Sequence, residues 1–425
     1  MASILILVQV FPPDNVATAQ LYGDLAKDLV ALGDQVTVLT TTPYYSFDPN
    51  AKGWMPQGAK GLRWGFPCGT MEHNGIRVCR TWMPRKRPNA LYRLGCWGWF
   101  HAVSTFAGLF VKPRPDVILC PSPPPTIALS AYLLGKRYGV PFVYNAQELY
   151  PDVAINLGLV RNRFLIRRLL ALEKFIYANA AAITVISSRM RLRILEKGVP
   201  EQKAVLLPNF ADTETFRPLP RDNRFSREHG LLDKFVVSYA GNMGKPQHLD
   251  VLLRAAARLK SETQINFLLI GDGAERAALV ELAEKMSLAN VSFLPYQSYS
   301  LMDQVYAASD LSYVPQAAGT SSDGVPSKVY RIMASGRPVL AATDSGSDLA
   351  AMVLDSGGGE VAGATNEQEV AETILRAFCN RSEWSNRGER ARRYILENFS
   401  RSRITGLYHE LLNRVAAGSS KPCQA

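Results

Sequence analysis

An α/β protein of two domains is the fold class that this sequence predicts, and three patterns carry the prediction. Short apolar runs suited to strands buried on both faces alternate with amphipathic helical stretches. The alternation runs twice, from Ile4 to Asn209 and from Phe235 to Ala342, with a polar, proline-bearing stretch between the two runs. A length of 425 residues holds about two to three domains of ordinary size. Two such domains facing each other leave a cleft between their strand ends, where small molecules bind.

The first run opens with Ile4 to Val10, a continuous apolar stretch without a cationic leader, which reads as a strand and not as a signal peptide. After Pro12-Pro13, leucines 21, 25, 29 and 32 recur at helical spacing, Gly33 closes the helix, and Gln35 to Thr40 is the next strand. Pro43 to Cys68 shows no period and reads as a long loop near a site. A basic cluster from Arg80 to Arg87 precedes the aromatic stretch Leu94 to Val111, which includes Trp97, Trp99, Phe106 and Phe110. Two readings of that stretch stay open: a buried helix, or one that packs inward while its aromatic and basic rim meets lipid.

Asp116 to Cys120 is a strand and Thr126 to Arg137 a helix; Val140 to Tyr144 is a strand ending in Asn145-Ala-Gln-Glu-Leu-Tyr-Pro-Asp152. Carboxylates there, Glu148 and Asp152, sit where α/β sheets bind ligands. Residues 161 to 180 form a basic amphipathic helix, with solvated surface weighed ahead of membrane anchoring. Asp212 to Gly230 reads as a linker, and one long helix from about Arg387 to Ala416 ends the chain. The expected domains are 1–211, 212–395, and a returning helix and tail over 396–425.

The second run gathers its glycines just after strands, at Gly241 to Gly244, Gly271 to Gly273 and Gly319 to Ser327. Parallel strands put all three loops at one edge, and glycine lets backbone approach a phosphate closely. In Gly319 to Pro338 a loop enters a short helix that Gly336 and Pro338 stop, with Lys328 and Arg331 three residues apart on one face. Free N–H groups at such a start suit a phosphate, while an ordinary crossover helix capped by Ser322 or Asp323 is the alternative. With Lys245 nearby, a diphosphate is the simplest ligand.

The net charge of +11 implies an anionic partner without naming it. Six scattered cysteines with no CxxC pair argue against a zinc or redox motif and suit a cytoplasmic protein. No phosphate-loop, nucleophile-elbow or HExxH motif occurs.

Several motifs follow one another in a telling order: Phe11-Pro-Pro, Gly33 to Thr40, Leu207-Pro-Asn-Phe210, Gly241-Asn-Met-Gly-Lys-Pro-Gln247, Ile270-Gly-Asp-Gly273, Val325-Pro-Ser-Lys328 and Met333-Ala-Ser-Gly-Arg-Pro338. In this order they resemble the family 4 glycosyltransferases, retaining enzymes with two facing Rossmann-like domains, the GT-B architecture. The Asn242, Gln247 and Pro-Ser-Lys forms are similar to a subgroup that builds bacterial capsule, O-antigen or colanic-acid-type polysaccharide, fucosyl and fucosaminyl transferases included. Asp323 and Arg331 stand where the family usually has two glutamates, and Asn242 and Gln247 where it has arginine and lysine. On the first loop, Asp14 to Thr18 replaces the usual glycine pair.

The resemblance implies a nucleotide-sugar donor held by Gly241, Asn242, Gly244, Lys245, Gln247, Gly271, Asp272, Tyr296, Gly324, Val325, Pro326, Ser327 and Arg331. Asp323 would contact the donor sugar and Lys328 would neutralise diphosphate. Glu148 joins them as a catalytic candidate, with Asp14, Asn15 and Asp152 on the acceptor side. With no Asp-x-Asp at a strand end, cations and a helix dipole replace a metal in neutralising the leaving group, so no cofactor is expected. The expected partners are a lipid-linked saccharide acceptor and the inner membrane surface, to which the cytoplasmic protein is peripheral. A nucleotide-sugar epimerase and a basic nucleic-acid- or membrane-binding protein without catalysis are the alternatives. The even spread of cations without a nucleic-acid motif counts against nucleic acid.

Overall fold

The computed structural model describes residues 1–14, 16–43, 63–65, 67–84, 90–156, 158, 160–319 and 324–418. Its first strands are β1 Ser3–Leu7, β2 Gln35–Thr41, β3 Arg63–Trp64, β4 Gly69–His73, β5 Ile76–Thr81, β6 Val117–Ser122, β7 Phe142–Ala146, β8 Ala182–Val185 and β9 Ala204–Leu206. They form one sheet in the order β3-β4-β5-β2-β1-β6-β7-β8-β9. From β5 to β9 every pairing is parallel. Helices connect most of these strands, because a parallel neighbour cannot be reached by a tight turn.

The exception is the antiparallel edge β3-β4-β5. Asn74-Gly75 turns β4 into β5 with φ of 51° and 75°, the backbone that an Asn-Gly hairpin requires.

A second sheet holds β10 Phe235–Ala240, β11 Ile265–Ile270, β12 Val291–Leu294, β13 Leu311–Pro315, β14 Val339–Ala342 and β15 Gly359–Ala362, all parallel, in the order β12-β11-β10-β13-β14-β15. Both faces of β10 are covered, as its continuous apolar run requires: Phe235, Val237 and Tyr239 join Phe267 and Leu252 in one cluster while Val236 packs with Leu268 in another. The chain divides into two compact units, Met1–Pro208 with the residues from Ser402 onward, and Asn209–Arg401. Each is a Rossmann-like α/β unit.

Two expectations need correction. The stretch 212–230 is no linker: Phe216 and Phe225 are buried, and Arg221 pairs with Asp310 and with the Leu231 and Lys234 carbonyls. Nor is the chain's end one helix. Helices Arg381–Asn398 and Arg401–Ala416 are separate, because the backbone at Phe399 and Arg401 leaves helical bonding to pair with Ala211 on both sides, at 3.0 Å each. Among the described residues no helix is long and apolar enough to cross a membrane.

The last helix is fixed to the first unit through Asp34, whose carboxylate accepts from the Ala2 N–H at 3.0 Å and Asn413 at 3.1 Å and lies 2.7 Å from His409 Nδ1. Asp34→Ala leaves these donors unmet and should cost roughly 1–3 kcal/mol. Hydrogen exchange should then show residues 402–416 losing protection ahead of the rest of the unit. Unchanged protection there would mean that packing alone holds the helix.

Candidate functional site

All six strands of the second sheet run parallel, so the loops that follow them meet at one edge. Backbone contact welds two of these loops together: Gly241 N–H donates to Ile270 O at 2.9 Å, Met243 N–H to Asp272 O at 2.8 Å, and Glu275 N–H to Met243 O at 3.0 Å. A Cβ on Gly271 would lie 1.9 Å from Gly241 O, and one on Gly273 2.3 Å from Met243 O, at φ of 143° and 158°. Loop-to-loop packing by itself requires glycine at these two positions.

Gly241 is different. A Cβ there would meet Lys328 Nζ at 2.7 Å. Lys328, the first residue of helix Lys328–Ala334, lays its ammonium 3.9 Å over the Tyr239 ring centroid, a favourable cation–π placement. Burial of the ammonium lowers its pKa to about 7, although the residue as a whole is only half-buried. Among the described residues no carboxylate pairs with it. An anion beside this cation would supply the charge that its described surroundings lack.

The neighbouring polar groups mostly brace the loops. Gln247 Oε1 accepts from the Gly244 N–H at 3.0 Å and from Asn242 Nδ2 at 3.5 Å, so Asn242 and Gln247 bond to each other. Tyr239 donates its hydroxyl to Asn242 O at 2.5 Å, and Tyr296 donates to Asp272 O at 3.3 Å. Asp272 caps the Gly273 N–H at 2.8 Å, and Lys245 is exposed beside them.

Two residues that the sequence reading missed anchor the loop after β13. Gln316 donates to Gly324 O at 3.0 Å and accepts from Thr343, and Asp344 accepts from the Gly319 N–H at 2.8 Å. The Thr343-Asp344-Ser345-Gly346 turn after β14 was the available signal. Val325 is buried, Pro326 half-buried and Ser327 exposed. Ser327, not Ser322 or Asp323, is the N-cap, and its side chain makes no capping bond. Asp323 and Asn15 lie outside the described residues.

Arg331 does not share Lys328's surroundings as expected. Its guanidinium lies 5.4 Å from the Phe216 ring centroid and 5.0 Å from that of Tyr299, whereas Lys328 lies over Tyr239.

In the first unit, Glu148 follows β7 and is half-buried; desolvation raises its pKa, while a hydrogen bond with Tyr150 opposes the rise. Behind it, fully buried Asn145 accepts from Tyr22 at 2.6 Å and Gln147 at 2.7 Å, and donates to Thr184 at 2.7 Å and Tyr408 at 2.9 Å. Asp14 is buried beside Arg80. Arg80 is not part of a surface cluster: it is buried, donating to Thr41 O at 2.9 Å and Pro12 O at 2.5 Å. Arg85 to Arg87 lie outside the described residues. Asp152 pairs with Arg193 at 3.1 Å and Lys197 at 2.8 Å, so these cations brace it.

Two domain models match the chain in order: the glycosyl transferase 4-like domain over residues 18–209 and glycosyl transferases group 1 over residues 222–394. The chain is a glycosyltransferase. It is 29% identical over 337 residues to the putative colanic acid biosynthesis glycosyl transferase WcaI of Escherichia coli K12, covering 77% of this chain and 79% of that protein. The probable glycosyltransferase WbjE of Pseudomonas aeruginosa is 28% identical, over 64% and 69% of the two chains. Among solved structures, sucrose-phosphate synthase of Thermosynechococcus elongatus superposes with a TM-score of 0.76 at 19% identity, covering 98% of this chain and all of that one. HepE of Anabaena in complex with UDP-glucose gives 0.71 at 17%, covering 97% of this chain and 100% of that one. Such solved structures share the GT-B fold.

Two predictions follow from the strand edge of this glycosyltransferase. Gly271→Ala must push the two loops apart and should cost about 1–3 kcal/mol, read as a lower unfolding midpoint; a midpoint equal to the parent's would contradict the close packing. Lys328 gains a proton when an anion meets it. Affinity for a nucleoside diphosphate should therefore fall as pH rises above about 7, by up to about tenfold per unit, and Lys328→Met should abolish that slope. A slope that survives in Lys328→Met belongs to another group.

Proposed function

We propose that this glycosyltransferase moves a sugar from a nucleoside-diphosphate donor to a lipid-linked saccharide in bacterial surface-polysaccharide assembly, with retention at the anomeric centre. The observation that carries the reading is Lys328, a partly desolvated ammonium held against the Gly241 backbone. Departure of a nucleoside diphosphate leaves negative charge to be neutralised, and a protonated Lys328 is placed to do this beside the second unit's glycine loops.

The donor follows the same logic. HepE binds UDP and UDP-glucose, and the Gly241 to Gly244 and Gly324 to Ser327 loops would hold the equivalent group here. Asp323 meets the donor sugar's hydroxyls, and Arg331 lies toward the ribose or diphosphate. Cationic neutralisation makes the reaction independent of metal.

The names of WcaI and of WbjE point to surface polysaccharide and to glycosyl transfer respectively. The Asn242, Gln247 and Pro-Ser-Lys forms favour a fucosyl or fucosaminyl type of sugar. Glu148, partly desolvated beyond β7, takes the acceptor side. The enzyme works as a cytoplasmic protein peripheral to the inner membrane, where a lipid-linked acceptor is available.

A thermal-shift screen of UDP, GDP, CDP, dTDP and their sugar conjugates, with and without EDTA, tests the donor. One nucleotide should raise the midpoint, equally in EDTA, and its sugar conjugate should be consumed only when a lipid-linked acceptor is present. Turnover of the donor alone would instead mark an epimerase. A shift abolished by EDTA would sink the metal-free mechanism, and no shift with any nucleotide would sink the donor site.

A further inference from the structure

We propose that helices Ala90–Gly108, Ile127–Tyr138 and Arg163–Asn179 form one face that docks on an anionic lipid surface. The proposal rests on the membrane-side reading of the acceptor and assigns it a surface that neither the motifs nor the relatives name. The three helices are contiguous: Thr105 donates to Ser130 at 2.8 Å, and the Tyr132 and Phe175 ring centroids lie 5.0 Å apart.

Their outer sides expose large apolar groups, with Leu133 at 54% and Phe164 at 65% of their full surface and Trp99, Phe106 and Leu165 also exposed, and Phe110 in the turn after the first helix is 56% exposed. Singly these would mean little, but clustered on neighbouring helices they mark an interaction surface. Between the first two helices a groove of about 510 Å³ is lined by His101, Phe106, Leu109, Leu129 and Leu133. His101 lies 2.7 Å from Thr126 Oγ1, and burial lowers its pKa to about 4, so it is neutral and the groove presents an uncharged wall. A hydrocarbon chain fits such a lining.

Charge selects the headgroup. From residue 73 to 147 the only acidic residue is Asp116, and its carboxylate is engaged by the Ser3 N–H at 2.8 Å. On the third helix the only acid, Glu173, is buried and paired with Lys197 at 2.6 Å. The exposed charges on these helices are cations: Lys136, Arg137, Arg163, Arg167, Arg168 and Lys174. Arg168 lies 4.9 Å from the Phe164 ring centroid, so apolar and basic groups share one patch. Apolar groups that enter the headgroup layer, ringed by cations and with no exposed acid, complement an anionic bilayer.

Vesicle sedimentation of the full chain decides the matter. The protein should bind phosphatidylcholine vesicles containing phosphatidylglycerol and not phosphatidylcholine alone, and salt should weaken the binding. Arg167→Glu with Arg168→Glu, and separately Phe164→Ser with Leu165→Ser, should each reduce binding about tenfold, while the exposed control Lys285→Glu changes nothing. Each variant's thermal shift with nucleoside diphosphate should match the parent, which reports intact folding and keeps the donor question separate. Equal binding to neutral vesicles, unchanged binding by both double variants, or self-association through this face without vesicle binding would each overturn the proposal. Vesicle binding without any nucleotide shift would instead sink the proposed reaction and leave the docking face standing.

Discussion

The close approach of two backbone segments governs the second unit's strand edge. Gly271 and Gly273 give up side chains so that the Gly241 and Met243 carbonyls can lie against them. The approach seals the loops after β10 and β11 into one rigid ledge, tied by three backbone hydrogen bonds. A ledge of this kind keeps its shape without a ligand, which is what lets a binding group be preorganised. Lys328 reaches that ledge from a different segment, beyond β13. Its position therefore depends on packing of the sheet and on the Gln316 and Asp344 anchors that hold the ends of the intervening loop.

Three partly or wholly buried cations show three ways of meeting the same cost. Arg80 spends its guanidinium on two carbonyls with Asp14 nearby, and so fixes the first loop of its own unit. Arg331 lies beside two aromatic rings. Lys328 has a ring and, among the described residues, no carboxylate, and its lowered pKa expresses that deficit. Burial without a full complement of partners is costly. Such an arrangement is tolerated where an anion that arrives later supplies the missing charge, which separates Lys328 from Arg80, whose guanidinium is already met by carbonyls.

What the sequence made legible follows from which forces act locally. The strand–helix alternation and the site-bearing glycine loops could be read because burial on two faces demands long apolar runs and because tight turns demand glycine. Asp212 to Gly230 was misread because its many polar residues hid two buried phenylalanines, and burial of a single ring is decided by distant chain. The break at Ser400 depends on pairing with Ala211, about half the chain away, which no local pattern announces. The Asn74-Gly75 hairpin was legible and was passed over among the aromatic and basic residues around it. Arg80 looked like surface because sequence shows charge but not the carbonyls that receive it. At the site, the residues around Lys328 were found by type, while the division of labour between Asn242 and Gln247 needed distances.

Asn145 joins these threads within the first unit. It is a buried amide whose four hydrogen bonds reach the first helix through Tyr22, β8 through Thr184, the last helix through Tyr408, and its own loop through Gln147. A fully satisfied polar network in a low-dielectric interior is rigid, because any displacement leaves a donor or acceptor unpaired. Glu148 is the next residue after Gln147, so the orientation of this carboxyl inherits the geometry of four elements at once. The returning helix is therefore more than a surface strap. Through Tyr408 it completes the network behind the half-buried Glu148 carboxyl beyond β7, and a chain lacking that helix would lose both the Asp34 anchor and one of the bonds that set this edge.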